Sequence, residues 1–465
     1  MIISRVLMGR VYLRDAGPLK GLIDTLARPV TLCSQARMKP VERRNFLSLF
    51  GDFTFFGAGS SFASQATVLP PFIATLTSSA PVIGLSSTVA NGAWLLPQLF
   101  AANAIAGLPR RKPAVLWPAA FGRFVSLVLG PVVLLLAGHP SAALWVFFIL
   151  YGLFWVLDGV ASIAWLDLLG KVLTHRSRAR LIGISQASQG LVGIGAAVLV
   201  GVILSSPALP SPRGYALLLL LCGVCYTLSL FSFFFLKEEP DAHVNVRLPW
   251  PAYFRSLRRI VATDNDFRRA LVVCLLFSIT GCATPFYIIH GLQNLRFPAA
   301  SIGYFTAAQV IGGIVSALIM GRMGEKRGTR SVMRLWGIIC ICTPLAAWSL
   351  PPLVGPAGAG VLLYSYGLVF FCVGALGNST MAGFINYVIE LAPVSQRTIY
   401  IGCANTLASL SIFAPLVGGW MLSAGGSWPA LFAVAAAGPL VGVALSARVI
   451  EPRSRAAGAQ GATSK

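Results

Sequence analysis

Of the 465 residues, 56% are hydrophobic and only 11% are charged, with a mean hydropathy of +0.77. Soluble proteins carry about 25% charged residues, so water is excluded as the solvent for most of this chain and a lipid bilayer is implied. The net charge of +22 does not point to nucleic acid, because the cations fall in short clusters between apolar runs rather than along one basic face of a soluble domain. Eight of the nine cysteines lie inside apolar runs, which excludes a disulfide framework; Cys222 and Cys225 have no nearby His or Cys to complete a metal site, so no metal or cofactor is expected.

Residues 1–44 read as a basic arm without a secretory pattern, since its first apolar stretch is broken by Arg5 and Arg10. Met38, followed by KPVERRNF, would serve equally well as a start. Twelve apolar runs follow at 46–75, 82–107, 113–138, 142–170, 181–205, 214–236, 268–291, 302–322, 332–354, 358–391, 398–423 and 428–449. Each approaches the length that spans hydrocarbon as a helix, the element that satisfies its own backbone.

The first run holds Asp52, about 10 Å deep at 1.5 Å per residue, and a small-residue break, GAGSS. The second opens on PVIGL and carries Asn91 and Trp94. Arg123 in the third lies about 15 Å from one end, and Asp158 in the fourth about 16 Å from the same end. The short connection HPSA makes these two runs antiparallel neighbours, so the spacing predicts an Arg123–Asp158 pair at the midplane. Asp167 closes the fourth run, and Gln186 and Gln189 occupy the fifth. A charged, Pro-containing linker covers 237–267. The seventh run contains SITGCATP and Tyr287. The eighth opens on ASIGY and ends in GRMGEKRGTR, 321–330, read as a turn. The tenth contains GALGNSTMAGFINY, with Asn378, Asn386, Tyr387 and then Glu390; the tail is 450–465.

Lys and Arg test the topology. With the N-terminus inside, 33 of the 36 fall on inward segments, and only Arg213 and Arg296 on outward loops. Cationic loops stay cytoplasmic, so both termini are expected inside the plasma (inner) membrane. The halves echo each other: Ile83-Gly84 and Ile302-Gly303 stand 219 residues apart, and each leads to a basic turn. The expected architecture is all-α, with six-helix bundles at 45–236 and 268–449.

The segment 321–330 resembles the loop signature of the major facilitator superfamily, G-x-L-A-D-R-x-G-R-K. Gly321, Met323, Gly324, Glu325, Lys326, Gly328 and Arg330 stand at its positions, and the first-half copy, NAIAGLPRRK, keeps Arg111 and Lys112 but loses the acid. The resemblance covers about residues 45–450. It implies twelve transmembrane helices in two pseudo-symmetric bundles, a cavity lined by spans 1, 4, 7 and 10, and transport by alternating access. The antiporter signature of span 5 is absent; span 11 holds the partial form APLVGG.

An acid inside a span costs about 2.5–3.5 kcal/mol at a helix centre, so each needs a partner. Asp158, Arg123 and Asp52 are read as a proton-coupling group or a structural midplane pair. Gly321, Glu325, Lys326, Gly328, Arg330, Arg111, Lys112, Asp167, Arg180, Glu390 and Arg397 are read as a cytoplasmic gate, with Arg176, Arg178 or Arg180 serving Asp167 and Arg397 serving Glu390. Asn378, Asn386, Tyr387, Gln186, Gln189, Asn91, Trp94 and Tyr287 are the pocket residues. The chain has no G-x-x-x-x-G-K-[ST] loop and no carboxylate or His cluster for catalysis. The leading expectation is a monomeric, non-enzymatic secondary transporter of a small, neutral or amphipathic organic solute, driven by a proton or ion gradient, with export favoured. The alternatives are a polytopic lipid or prenyl transferase and a non-transporting assembly factor.

Overall fold

Proline, glycine and short polar caps punctuate an otherwise uniformly apolar chain, and they set where its helices begin and end. The computed structural model describes residues 38–452 except 107, 241–249 and 394–396. Most of the basic arm, part of the linker and residues 453–465 of the tail therefore lie outside the described residues. The chain divides into two units, Met1–Arg44 and Asn45–Lys465. In the first, the described residues open a helix at Pro40, with the Arg43 amide donating to Lys39 O.

The helices of the first half are α1 (Pro40–Phe62), α2 (Leu69–Leu76), α3 (Ala80–Ala106), α4 (Lys112–Leu135), α5 (Pro140–Val172), α6 (His175–Ser205) and α7 (Arg213–Phe234). A linker helix α8 (Trp250–Thr263) precedes the second half. That half has α9 (Asn265–Ser278), α10 (Phe286–Ile289), α11 (Ser301–Arg327), α12 (Thr329–Val354), α13 (Ala359–Ser379), α14 (Asn386–Leu391), α15 (Arg397–Ala408), α16 (Ala414–Ser423) and α17 (Trp428–Ser446). Hydroxyl and carboxylate caps start several of them: Thr174 accepts from the Ser177 amide, Asp264 from those of Asp266 and Phe267, and Ser427 from that of Ala430.

Among the described residues, ten helical stretches are long and apolar enough to cross a membrane. Six belong to the second half and four to the first. The runs expected at 46–75 and 82–107 are helical, as α1–α2 and α3, but they are not among the ten. The first is interrupted between Phe62 and Leu69 and carries Asp52; α3 carries Asn91 and Gln98. Polar content of this kind is what a helix facing other protein or a water-filled gap retains.

The packing repeats between halves. In the first, α3 lies on α5, and α4 on α5 and α7; in the second, α11 lies on α13, and α12 on α13 and α17. The halves meet along two further pairs, α3 with α16 and α6 with α11, which exchange roles under the same two-fold relation. These seams explain the repeated Ile-Gly pair. A Cβ on Gly84 would sit 2.3 Å from Pro415 O, and one on Gly303 2.6 Å from Ala197 O, so each glycine permits backbone contact between halves that no larger residue allows.

Two expectations about local structure change. Residues 321–330 are not a loop: α11 continues to Arg327, and the reversal occupies Gly328 alone, at φ +83°. Lys326 and Arg327 thus occupy the last turn of α11, where the negative end of the helix dipole favours them. The linker 237–267 is in part the amphipathic helix α8, whose Leu257 and Ile260 enter a core with Phe267, Leu271 and Tyr400 while Arg255, Arg258 and Arg259 stay exposed. Two of the three polar breaks interrupt regular helix, with a 3₁₀ turn at Ile279–Ala283 and a π turn at Thr380–Ile385; GAGSS, 57–61, stays within α1, which runs on to Phe62.

Candidate functional site

Along α5, Tyr151, Trp155, Asp158, Ser162 and Trp165 recur at four- and three-residue steps and so share one face. On α7, Cys222, Tyr226 and Ser229 form a matching row. Between them the Arg123 guanidinium donates from Nη1 to Asp158 Oδ1 at 2.8 Å, with both residues buried. It also lies over three aromatic rings, 5.0 Å from Phe56, 5.5 Å from Phe154 and 5.2 Å from Tyr226. Cation–π contacts of this kind are worth about 0.5–2 kcal/mol each, more when desolvated. Asp52 joins the same group: Trp165 Nε1 donates to its Oδ2 at 2.8 Å, Ser229 Oγ to its Oδ1 at 2.5 Å, and it interacts electrostatically with both Arg123 and Asp158. Trp165 and Ser229 were not singled out from the sequence; the stripe on the fourth run was the signal that would have found the first.

At the end that carries the basic loops, each half closes on its own carboxylates. Glu238, just beyond α7, accepts from the amides of Arg111 and Lys112 at 2.7 Å each and from Lys171 Nζ at 3.0 Å. Arg111 Nε donates to Asp167 Oδ2 at 2.5 Å. In the second half Glu451, just beyond α17, accepts from the Arg330 amide at 3.2 Å, Arg330 Nη2 donates to Ala447 O at 2.8 Å, and Thr329 Oγ1 donates to Glu390 Oε2 at 2.9 Å. Glu238 and Glu451 thus play equivalent parts, satisfying the amides that open α4 and α12. Neither was among the predicted residues. The signal was available: both halves end their last span on Glu and Pro, KEEP and IEPR.

The remaining predicted gate residues scatter. Glu325 and Lys326 are exposed on the last turns of α11, and Gly321 has open space beside it. The partner described for Asp167 is Arg111, from the preceding connection, rather than Arg176, Arg178 or Arg180. Arg180 places its guanidinium 5.8 Å over the Phe46 ring. The Arg397 side chain lies outside the described residues.

Of the predicted pocket residues, Asn91, Gln186 and Asn386 are exposed, and Trp94 and Gln189 are half-buried. Asn91 and Asn386 each donate to a carbonyl one turn back, Ser87 O at 2.9 Å and Ala382 O at 3.4 Å. Tyr287 and Tyr387 are fully enclosed in the cores of the second half, Tyr287 stacked on Phe432 at 5.6 Å. An aromatic ring reads as pocket or core equally well from sequence, and here packing takes both. The Asn378 side chain lies outside the described residues. Gln98, not singled out earlier, donates to Ser162 Oγ at 3.2 Å and ties α3 to the polar face of α5.

At the end away from the basic loops the halves are sealed. Thr67 and Thr306 hydroxyls lie 2.8 Å apart, Ser64 Oγ donates to Gln309 Oε1 at 3.0 Å, and Thr88 Oγ1 donates to Ile412 O at 2.9 Å.

Two pseudo-symmetric helical bundles, sealed at one end and carrying an ion pair in the core of one, define a polytopic membrane protein of the transporter type of fold. The family model described as Major Facilitator Superfamily matches residues 270–465. Among solved structures, the fold is similar to that of a D-xylose–proton symporter, with a TM-score of 0.64 at 12% identity over 88% of this chain and 98% of that one. A bacterial homologue of the iron transporter ferroportin scores 0.60 in its inward-facing state, at 14% identity over 89% of this chain and 99% of that one. The same homologue scores 0.54 in its outward-facing state, at 16% identity over 88% and 99%. The chain thus shares the fold of these solved structures over both halves, and the family model matches its second half. Among curated proteins it is 23% identical over 280 residues to uncharacterised proteins of Mycobacterium tuberculosis and Mycobacterium bovis. That match covers 59% of this chain, and the chain spans about half, 52%, of the length of those relatives.

Proposed function

We propose that the chain is a secondary transporter that moves a small organic solute by rocking its two halves about the seams α3–α16 and α6–α11. The basic end faces the cytoplasm, as cationic loops do, in the plasma membrane, with both termini inside and export as the favoured direction. One chain suffices for the cycle. The sealed end then faces outward, and Asn91, Trp94, Gln98, Gln186, Gln189 and Asn386 face the inward gap as the solute contacts. This set holds amides and an indole but no charge, which favours a neutral or amphipathic solute.

The observation that carries the coupling is a charge count at membrane depth. Asp52 and Asp158 share one guanidinium, Arg123, among the described residues. One negative charge is left over, and in a low-dielectric core it calls for a proton or another cation. Opening either end in turn lets that cation enter from one side and leave to the other. A structural reading of the pair is favoured by the three rings around Arg123, which fix it in place; the basic-end contacts of Glu238 and Glu451 are proposed as braces that keep each half rigid while it rocks.

Flux of a solute panel into proteoliposomes, with and without an imposed pH gradient, tests the reading. Gradient-dependent accumulation that Asp52→Asn and Asp158→Asn abolish, in protein that still accumulates in the membrane, is the expected result. Gradient-independent exchange, or flux that follows sodium alone, would remove the proton from the scheme.

A further inference from the structure

The core of the first half is not filled on the side of the ion pair nearer the sealed end. A cavity of about 20 Å³ lies there, walled by Ser126 of α4, Tyr151, Phe154 and Trp155 of α5 and Cys222 and Tyr226 of α7. Tyr151 lies seven residues before Asp158 on the same helical face, about 10 Å along the axis, and Trp155 three residues before it, about 4.5 Å. Two of the wall residues, Phe154 and Tyr226, are also rings on which the Arg123 guanidinium rests, so cavity and ion pair share a partition.

Three polar atoms in this region are buried and poorly satisfied among the described residues: Arg123 Nε has no hydrogen-bond partner, and Tyr151 Oη and Trp155 Nε1 have at most each other. Tyr151 is only 5% exposed. Buried polar atoms are nearly always satisfied, by protein or by ordered water, because an unmet donor in a low-dielectric core is costly. A water needs roughly 10–15 Å³ and two to four polar partners. The cavity offers the room, the Tyr151 hydroxyl and the Trp155 N–H, with the Ser126 side chain in its wall. Beyond it the space closes: Phe147 stacks on Tyr151 at 5.1 Å and meets Phe72 edge-on at 5.1 Å.

We propose that this cavity is an internal water site, held by Tyr151 and Trp155 behind the rings that pack on Arg123, and that it supplies water to the Arg123–Asp158 pair when carboxylate and guanidinium part during the transport cycle. The water's existence follows from the cavity and its poorly satisfied polar atoms. Its role rests on the transporter reading above. Tyr151 and Trp155 are positioning residues here, acting on the pair through the water.

X-ray radiolytic labelling in H2¹⁸O reads buried water directly, because radicals form from the bound molecule and mark the side chains touching it. In the wild-type chain Tyr151 should label well above Tyr366, an equally enclosed tyrosine whose hydroxyl already donates to Tyr287 O and meets His290 Nδ1, each at 3.1 Å. Equal labelling of the two overturns the site. Trp155→Phe keeps an aromatic side chain, though a smaller one, and removes the N–H, so Tyr151 labelling should fall toward the Tyr366 rate, and net flux should slow about tenfold, equivalent to one lost hydrogen bond of ~1.4 kcal/mol at the barrier. If the site dries but flux is unchanged, the solvating role is overturned. The labelling arm needs no transport, so it decides the water site even where the transporter reading fails.

Discussion

Replacing Gly84 with alanine puts a methyl group into the seam between the halves. Its Cβ would lie 2.3 Å from Pro415 O, whereas Cβ atoms do not approach within 3.0 Å, so α3 and α16 must separate there by at least about 0.7 Å (3.0 − 2.3). Overpacking a tight contact costs about 1–3 kcal/mol. Because the clash exists only while this end is closed, the cost falls on one conformer, and a coupling of about 1–3 kcal/mol shifts a two-state ratio 5- to 150-fold toward opening at that end. Spin labels at Ser78 and Ala299, exposed on opposite halves at the sealed end, with the exposed Cys342 replaced by serine, would report the shift as a longer distance population in pulsed-EPR measurements. Two controls isolate the cause. A Cβ on Gly183 meets nothing within 4 Å, so Gly183→Ala should leave the distances alone. A Cβ on Gly418 would lie 2.0 Å from Cys282 O, a contact inside the second half, so Gly418→Ala should lower stability without moving the equilibrium. An unchanged distance distribution in Gly84→Ala, or the same shift in Gly183→Ala, would refute the seam as the moving contact.

Asp158→Ala strands the Arg123 guanidinium in the core and should cost about 3–5 kcal/mol, seen as loss of monodisperse protein in detergent; Asp158→Leu combined with Arg123→Met should recover it, since a matched apolar pair is often neutral or stabilising. Glu238→Ala removes the acceptor of two amides and of Lys171, and at about 1.5–3 kcal/mol per charge-assisted hydrogen bond should lower the melting temperature clearly, while the neighbouring exposed Glu239→Ala should not. Once a solute is known, Gln186→Ala should raise its KM, whereas Tyr287→Phe and Tyr387→Phe, both enclosed in the core, should leave KM within about twofold, below the 1.4 kcal/mol that a tenfold change represents.

Hydropathy and charge segregation made the helical membrane architecture legible because both act locally. A run of apolar residues declares its solvent by itself, and the 219-residue echo of Ile-Gly marks the two seams before any contact is known. The Arg123 and Asp158 side chains were brought together by depth counting along two antiparallel helices joined by four residues, a case in which connectivity nearly dictates geometry. The basic segment 321–330 was recognisable as a charged reversal, but only the structure puts nine of its ten residues on the two helices α11 and α12 and the turn on one glycine.

The chain's own residues determined that it crosses a membrane in two related halves, with its cations gathered at one end, since burial in lipid and local helix formation need no distant partner. The tertiary structure alone decided which polar groups meet. Asp52 with Trp165 and Ser229, Glu238 and Glu451 with the helix starts they satisfy, and the enclosure of Tyr287 and Tyr387 all depend on rotation of one helix against another. A hundred degrees of helical rotation separates neighbouring residues, and packing between helices, absent from any single segment, is what fixes it.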